Sequence, residues 1–402
     1  MKYIVILADG MADEPVKEFG NKTPLEAAHT PNMDYMAGHG MAGLVKTIPD
    51  GVHPGSDIGN MAILGYDPTI YHTGRAPLEA ANMNIVLGPD EVAFRCNLIT
   101  THEGAMKDYS AGHISTKEAD ELIAALNREL GSPDVRFHTG KSYRHLMVLK
   151  TTDPQKFRNI TTVAPHDILN KKLKDHLPKG PGAETLLRLM EKSKSIFESH
   201  PINQVRADLG ENPSDMIWLW GQGVKPQLPA FEAKYGIKGG IISAVDLVCG
   251  IGRLASLEVI DVPGITGYYD TNFQGKAEYA LASLERNDFV YIHVEAPDEA
   301  GHNGDFKAKS EAIANIDKHI VGAMLNRFGE HDNARILVLP DHPTPVRKRT
   351  HTADPVGFVM YGKGIAHNGC QEFTEKAAAE KGMKFTSGGA LMEYFIKKHL
   401  EG

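Results

Sequence analysis

Cysteine is scarce in this 402-residue chain: Cys96, Cys249 and Cys370 are odd in number and far apart. That spacing excludes a disulfide framework and suits a reducing compartment. Long apolar runs are missing as well. Residues 3–8 are too short for the hydrophobic part of a secretory signal, Asp9 interrupts them, and no later run approaches a membrane span. The expectation is a cytoplasmic protein with no membrane partner. A basic excess is also absent, since the formal net charge is -8. This argues against a general nucleic-acid partner and leaves room for a local basic pocket that takes a small anion. No internal repeat or low-complexity segment interrupts the chain, and oligomeric state has no signature in it. What remains is an ordinary globular composition, 42% hydrophobic and 23% charged, long enough for two or three domains.

Three apolar strands organise the rest. Phe289–Val294 runs to Pro297, where Asp298 is placed in a helical turn with His302 four residues on, facing the same way. Ala334–Leu339 runs into Asp341 and His342, and His351 follows nine residues later. Tyr3–Ala8 ends at Asp9-Gly10. A single Asp after a strand is ordinarily a turn or cap residue, and a single His ordinarily lies on the surface or in the core. Three strand-end carboxylates with an Asp-x3-His, an Asp-His and a trailing His together point to a two-metal site at the carboxyl edge of a parallel sheet.

Pro54-Gly55-Ser56-Asp57 opens an apolar-periodic helix, which puts Ser56 near its first turn. A phosphate or an alkoxide there would meet free N–H groups and the positive end of the helix dipole; an ordinary N-cap serine is the plainer reading. Between about 84 and 210 the texture changes to strands near 92–100 and 143–149, helices at 116–130 and 183–198, and polar connections. The first metal carboxylate precedes this block and the others follow it. The expected organisation is therefore a metal-binding domain of residues 1–83 and 211–402, with 84–210 inserted as a smaller α+β substrate-binding domain. Linkers near 83–90 and 209–214 would let that lobe close. From 216 onward strands and helices alternate, starting with a strand at 216–220 and including a long helix at 307–327, as in a doubly wound, mostly parallel α/β sheet.

Mixed carboxylate and imidazole ligands suit Mn²⁺, with Zn²⁺, Co²⁺ or Mg²⁺ as alternatives. Two such ions polarise a phosphoryl group, and a serine hydroxyl bound to one becomes a nucleophile. The residues alone thus imply phosphoryl or sulfuryl transfer. The stretches Ala8–Met11, Pro54–Asp57, His72–Pro77, Arg95–Leu98, Asp108–His113, Ser142–His145, Trp218–Gly223, Ala296–His302, Leu339–His342 and the isolated His351 carry more. Together they resemble the cofactor-independent phosphoglycerate mutases of the short, archaeal type, within the alkaline phosphatase superfamily. The resemblance implies one metal on Asp9, Ser56, Asp341 and His342 and a second on Asp298, His302 and His351. It also implies that Ser56 accepts the phosphoryl group of a small phosphorylated hydroxy acid and returns it to the other hydroxyl.

In that family the inserted domain supplies cations for the substrate. Arg95, Arg144 and Arg206 are the candidates here, with Lys276 from the metal domain and Asn97, Asp108 and His145 as further positions. The alternatives are a homoserine-kinase-like phosphotransferase, a metal-dependent phosphatase and a non-catalytic scaffold. With no G-x-x-x-x-G-K-[ST] loop, a nucleotide donor would have to load Ser56 directly.

Overall fold

The computed structural model describes residues 1–329 and 333–397. The chain forms two compact units, residues 1–72 with 227–402, and Thr73–Pro226. In chain order the strands are β1 (Lys2–Ala8), β2 (Met41–Val45), β3 (Glu91–His102), β4 (Ala105–Asp108) and β5 (Val135–Lys141). They continue with β6 (Arg144–Lys150), β7 (Met216–Gly223), β8 (Gly239–Ile242) and β9 (Glu258–Val259). The last four are β10 (Phe289–Val294), β11 (Ala334–Leu339), β12 (Val356–Gly362) and β13 (Met383–Phe385).

The first unit carries a mostly parallel α/β sheet in the order β13-β2-β12-β11-β1-β10-β8-β9; β12 alone runs antiparallel to its neighbours. Its centre is β11-β1-β10, whose residues are almost wholly buried. Side chains of both parities are apolar there because both faces of the sheet are covered. Ala8 pairs with Val294 and Leu7 with Leu339, so the three strands finish level. Asp9, Asp341 and the helix carrying Asp298 therefore leave the sheet at one edge.

The long helix expected over 307–327 is one continuous run with a wide turn inside it: Phe306–Ile316, a π-helical turn Asp317–Val321, then Gly322–Arg327. Asp317 sits at that turn and accepts from the backbone N–H groups of Asn32 (3.2 Å) and Met33 (2.7 Å). It satisfies the start of the helix Pro31–His39, which has no side-chain cap of its own.

A second buried carboxyl acts differently. Glu375 begins the helix Glu375–Lys381 and accepts from Thr23 Oγ1 at 2.7 Å. Burial pushes its carboxyl up from 4.5 to about 7. A folded-state value above the unfolded one means stability is fully present below about 4.5 and is lost as pH rises through about 7. Glu375→Gln should therefore match the parent in chemical denaturation near pH 4.5. At pH 8 it should exceed the parent by on the order of 3 kcal/mol. A difference that stays constant across that range would contradict the assignment.

The second unit is an antiparallel sheet, β4-β3-β6-β5 with β7 also on β3, and helices Thr116–Leu130 and Ala183–Glu198. It has its own apolar core around Phe94, Leu122, Leu186 and Trp218. Its bounds differ from the expected 84 and 210. The strand expected at 216–220 within the larger sheet is β7, which pairs with β3 over Ala93–Ile99 instead. The helix Arg75–Asn82 lies in this unit too; its Ala76 and Ala80 are buried with Ala93 and Val148.

Candidate metal centre and active site

Asp9 is wholly buried. Its Oδ2 lies 2.9 Å from His293 Nε2, its Oδ1 lies 3.6 Å from His342 Nε2, and Oδ1 has no hydrogen-bond partner. Asp341 Oδ1 accepts from the N–H of Gly10 (3.2 Å) and of His342 (3.0 Å), while Oδ2 accepts from Asn60 Nδ2 at 2.9 Å. Ser56 is the first residue of the helix Ser56–Ile63, preceded by Gly55 with no side-chain cap, and its Oγ lies 3.3 Å from His342 Nε2.

Asp298 lies in the first turn of the helix Ala296–Asn303, one position after Pro297. Its Oδ2 is 3.2 Å from His302 Nε2 and its Oδ1 3.5 Å from His351 Nε2; the two imidazole nitrogens are 2.9 Å apart. Thr344 Oγ1 donates to Asp298 Oδ1. The expected residues Asp9, Asp341, His342, Asp298, His302, His351 and Ser56 are thus brought together in one unit.

These residues fit divalent cations. Bonds of about 2.1 Å in tetrahedral or octahedral geometry put neighbouring ligand atoms about 3.0–3.4 Å apart, close to the separations found. Asp9, Asp341 and His342 group within 4.8 Å, as do Asp298, His342 and His351, so His342 stands between two groups. Burial, then the charges of Asp341 and Asp298, push the Asp9 carboxyl well above its ordinary range. Burial opposes ionisation of Asp298 as well, but the hydrogen bonds of His302 and His351 hold it well below the usual value. The bond to Asp298 lifts His302 to about 9. Three buried carboxylates around an orphaned oxygen are costly without a cation to neutralise them.

The expected substrate residues divide. Lys276 is buried, donates to the His293 carbonyl at 2.7 Å, and is drawn down to about 8 by burial. Arg95 lies over the Trp220 ring (4.2 Å to its centroid) and pairs with Glu79 at 2.9 Å. Burial, with the charges of Arg75 and Arg144, lowers its pKa. Arg144 is exposed. Arg75 and His166, whose ring edge meets Trp220, join this cluster and were missed by sequence reasoning. The Gly74-Arg75 step before a helix was the available signal.

Four further expected residues hold protein partners. Arg206, 3% exposed, binds Glu118 and Glu211 and the carbonyls of Asn212 and Ala111, which occupies its guanidinium. Asp108 accepts from Ser110, Gly112 and Asn212 and organises a turn. Asn97 joins Trp220 Nε1 to the Tyr109 carbonyl. His145 accepts the Gly140 N–H and is kept neutral by burial, at about 4. These bonds lie within the second unit, and that of Asn97 reaches the same Trp220 that lies under Arg95.

A model of the 2,3-bisphosphoglycerate-independent phosphoglycerate mutase family matches residues 37–203. A relative of that name from Methanothrix thermoacetophila is 48% identical over 397 residues, 98% of this chain and 100% of its own. The chain belongs to this family. A second mutase of that name, from Methanosarcina acetivorans, is 48% identical over 399 residues, with 99% and 100% coverage. Among solved structures, a protein from Pyrococcus horikoshii is 29% identical with a TM-score of 0.84, covering 99% of this chain and 97% of its own. The cofactor-independent phosphoglycerate mutase of Thermoplasma acidophilum is 28% identical over the whole of both chains, with a TM-score of 0.69.

Around the candidate metal centre of this mutase-family chain, sequence reasoning also missed an outer layer. Asn60, one helical turn after Ser56, donates to the Ser56 carbonyl (2.9 Å) and to Asp341, and accepts from Tyr291 Oη at 2.8 Å. His72 Nε2 lies 2.8 Å from Asp57 Oδ2. The i, i+4 spacing of Ser56 and Asn60 was a usable signal; nothing in sequence pairs Asp57 with His72.

Proposed function

We propose that the chain interconverts 3-phosphoglycerate and 2-phosphoglycerate, with Ser56 carrying the phosphoryl group between the two hydroxyls. The observation that supports this best is Ser56 Oγ at an uncapped helix start, 3.3 Å from His342 Nε2. Asp9, Ser56, Asp341 and His342 would hold one divalent ion and Asp298, His302 and His351 the other, with Mn²⁺ the best match to the donor set. Bound ions would neutralise the phosphoryl oxygens and lower the proton affinity of the serine hydroxyl.

The chain's own residues do the rest. The bond from phosphorus to the glycerate oxygen breaks as Ser56 Oγ–P forms, and the serine proton ends on the departing oxygen. The other glycerate hydroxyl then attacks phosphorus, and its proton returns to Ser56. Ser56 is the first residue of the helix Ser56–Ile63, so the positive end of the helix dipole would favour the negative charge of a phosphoryl group on it. Asn60 ties the Ser56 carbonyl to Asp341 and so fixes the nucleophile against one carboxylate. The guanidinium groups of Arg95, which lies over the Trp220 ring, and of Arg75 and Arg144, whose charges act on it, have the charge and shape for a carboxylate or phosphate. No helix among the described residues is long and apolar enough to cross a membrane.

The test is direct. Pure protein with Mn²⁺ and 3-phosphoglycerate, followed by phosphorus NMR, should produce 2-phosphoglycerate and no inorganic phosphate. Accumulating free phosphate would favour a phosphatase. Phosphohomoserine formed from ATP and homoserine, with no 2-phosphoglycerate, would favour a kinase.

A further inference from the structure

His293 is fully buried and plays no part in the transfer as described. It lies on β10, beside β1 in the middle of the sheet, two residues from Tyr291, so both side chains leave the same face of the strand. Tyr291 reaches Asp341 through Asn60. His293 reaches Asp9 directly, at 2.9 Å, and its other nitrogen lies 3.2 Å from Ser243 Oγ. With a cation on Oδ1, Asp9 would be ionised and only accept, so Nε2 would carry the proton and Nδ1 would accept from the serine hydroxyl. Ser243 is itself held, since its Oγ accepts from the Val245 N–H at 3.0 Å.

We propose that His293, anchored by Ser243, is a positioning residue that turns Asp9 so that Oδ1 is presented to the Asp9–Asp341–His342 metal group, and that it acts on that group alone. The inference rests on the two-metal reading above. Oδ2 is occupied by the imidazole, and Oδ1 is the oxygen left without a protein partner. The Asp298 group has a different support, Thr344 Oγ1, which donates to Asp298 and lies 3.2 Å from His342 Nδ1. Removing His293 should therefore be felt at one ion and not at the other. Carboxylate ligands fixed by a hydrogen-bonding neighbour typically lose about 10- to 100-fold in metal affinity when that neighbour goes.

A competing use of the same residues is a third cation site, since ligand atoms of Asp9, His293 and Glu295 fall within 4.8 Å of one another. The geometry favours positioning. The Lys276 ammonium already stands at this end of β10, bound to the His293 carbonyl, and its positive charge acts on Glu295.

Mn²⁺ titration of the metal-stripped full-length protein, by calorimetry and by electron paramagnetic resonance, separates these cases. The parent should bind two ions. His293→Phe should weaken one of them by about 10- to 100-fold and leave the other unchanged. His293→Gln, whose amide nitrogen can donate from nearly the same place, should restore most of the affinity, and Ser243→Ala should fall between. Unchanged affinity in His293→Phe, equal weakening of both ions, or a Gln variant as weak as Phe would overturn the proposal. So would a third Mn²⁺ in the parent that His293→Phe removes. Should the Phe variant fail to fold, a folded Ser243→Ala with parental affinity at both ions would overturn it equally. A parent that binds no Mn²⁺ refutes the metal reading itself, a result distinct from two ions bound and indifferent to His293.

Discussion

Asp298→Ala should bind one divalent ion fewer than the parent and lose transfer activity by at least about a thousand-fold. The carboxylate is the hub of its group: His302 lies 3.2 Å from one oxygen, and His351 lies 3.5 Å from the other. Without it two imidazoles remain, one of them 18% exposed, and a pair of neutral nitrogens holds a hard cation poorly. The sheet should persist, because β1, β10 and β11 are built almost wholly of buried apolar side chains. A chelator in excess should silence the parent in the same way, with Mn²⁺ or Co²⁺ restoring it. Circular dichroism of the variant should match the parent. A variant that keeps two ions and full activity would remove Asp298 from the metal centre.

Ser56→Ala is expected to keep both metal binding and substrate binding while losing at least about 10⁴-fold in transfer, the scale seen when a covalent nucleophile is deleted. Its hydroxyl is the one element of the helix start that the backbone does not need: Gly55 precedes it, no side chain caps the helix, and the Gly55 carbonyl already takes the N–H groups of Ile58 and Gly59. The loss should therefore appear in kcat with little change in KM. A fall in KM-type binding with kcat preserved would make Ser56 a binding residue rather than the nucleophile.

Much of this was legible because of where the chemistry sits. Asp9, Asp298 and Asp341 follow runs such as Tyr3–Ala8 and Ile336–Leu339, whose unbroken apolar character marks strands buried on both faces. Strands of that kind lie parallel at the centre of a sheet, and their carboxyl ends share an edge. What could not be read depends on pairing over long distances. Trp218-Leu219-Trp220 is apolar enough for either sheet, and only its register with Arg95–Leu98 decides the matter. Arg206 looked like a substrate cation because Glu118, its partner, is 88 residues away. The π-helical turn at Asp317 answers a need of the helix beginning at Pro31, nearly 300 residues earlier. His293 lay hidden for the opposite reason: inside Phe-Val-Tyr-Ile-His-Val it reads as a core position of a strand, and its tie to Asp9 exists only once β1 and β10 are side by side.

In the proposed reaction one serine carries the phosphoryl group from one hydroxyl of glycerate to the other. Acid-quenched single turnovers with 3-phosphoglycerate labelled at phosphorus test it most directly, with the peptide containing Ser56 recovered and counted. The label should rise on that peptide within the first turnover and then pass to 2-phosphoglycerate, without dilution by unlabelled inorganic phosphate in the medium. Labelled 2-phosphoglycerate formed at full rate with no label on the Ser56 peptide at any quench time would contradict it.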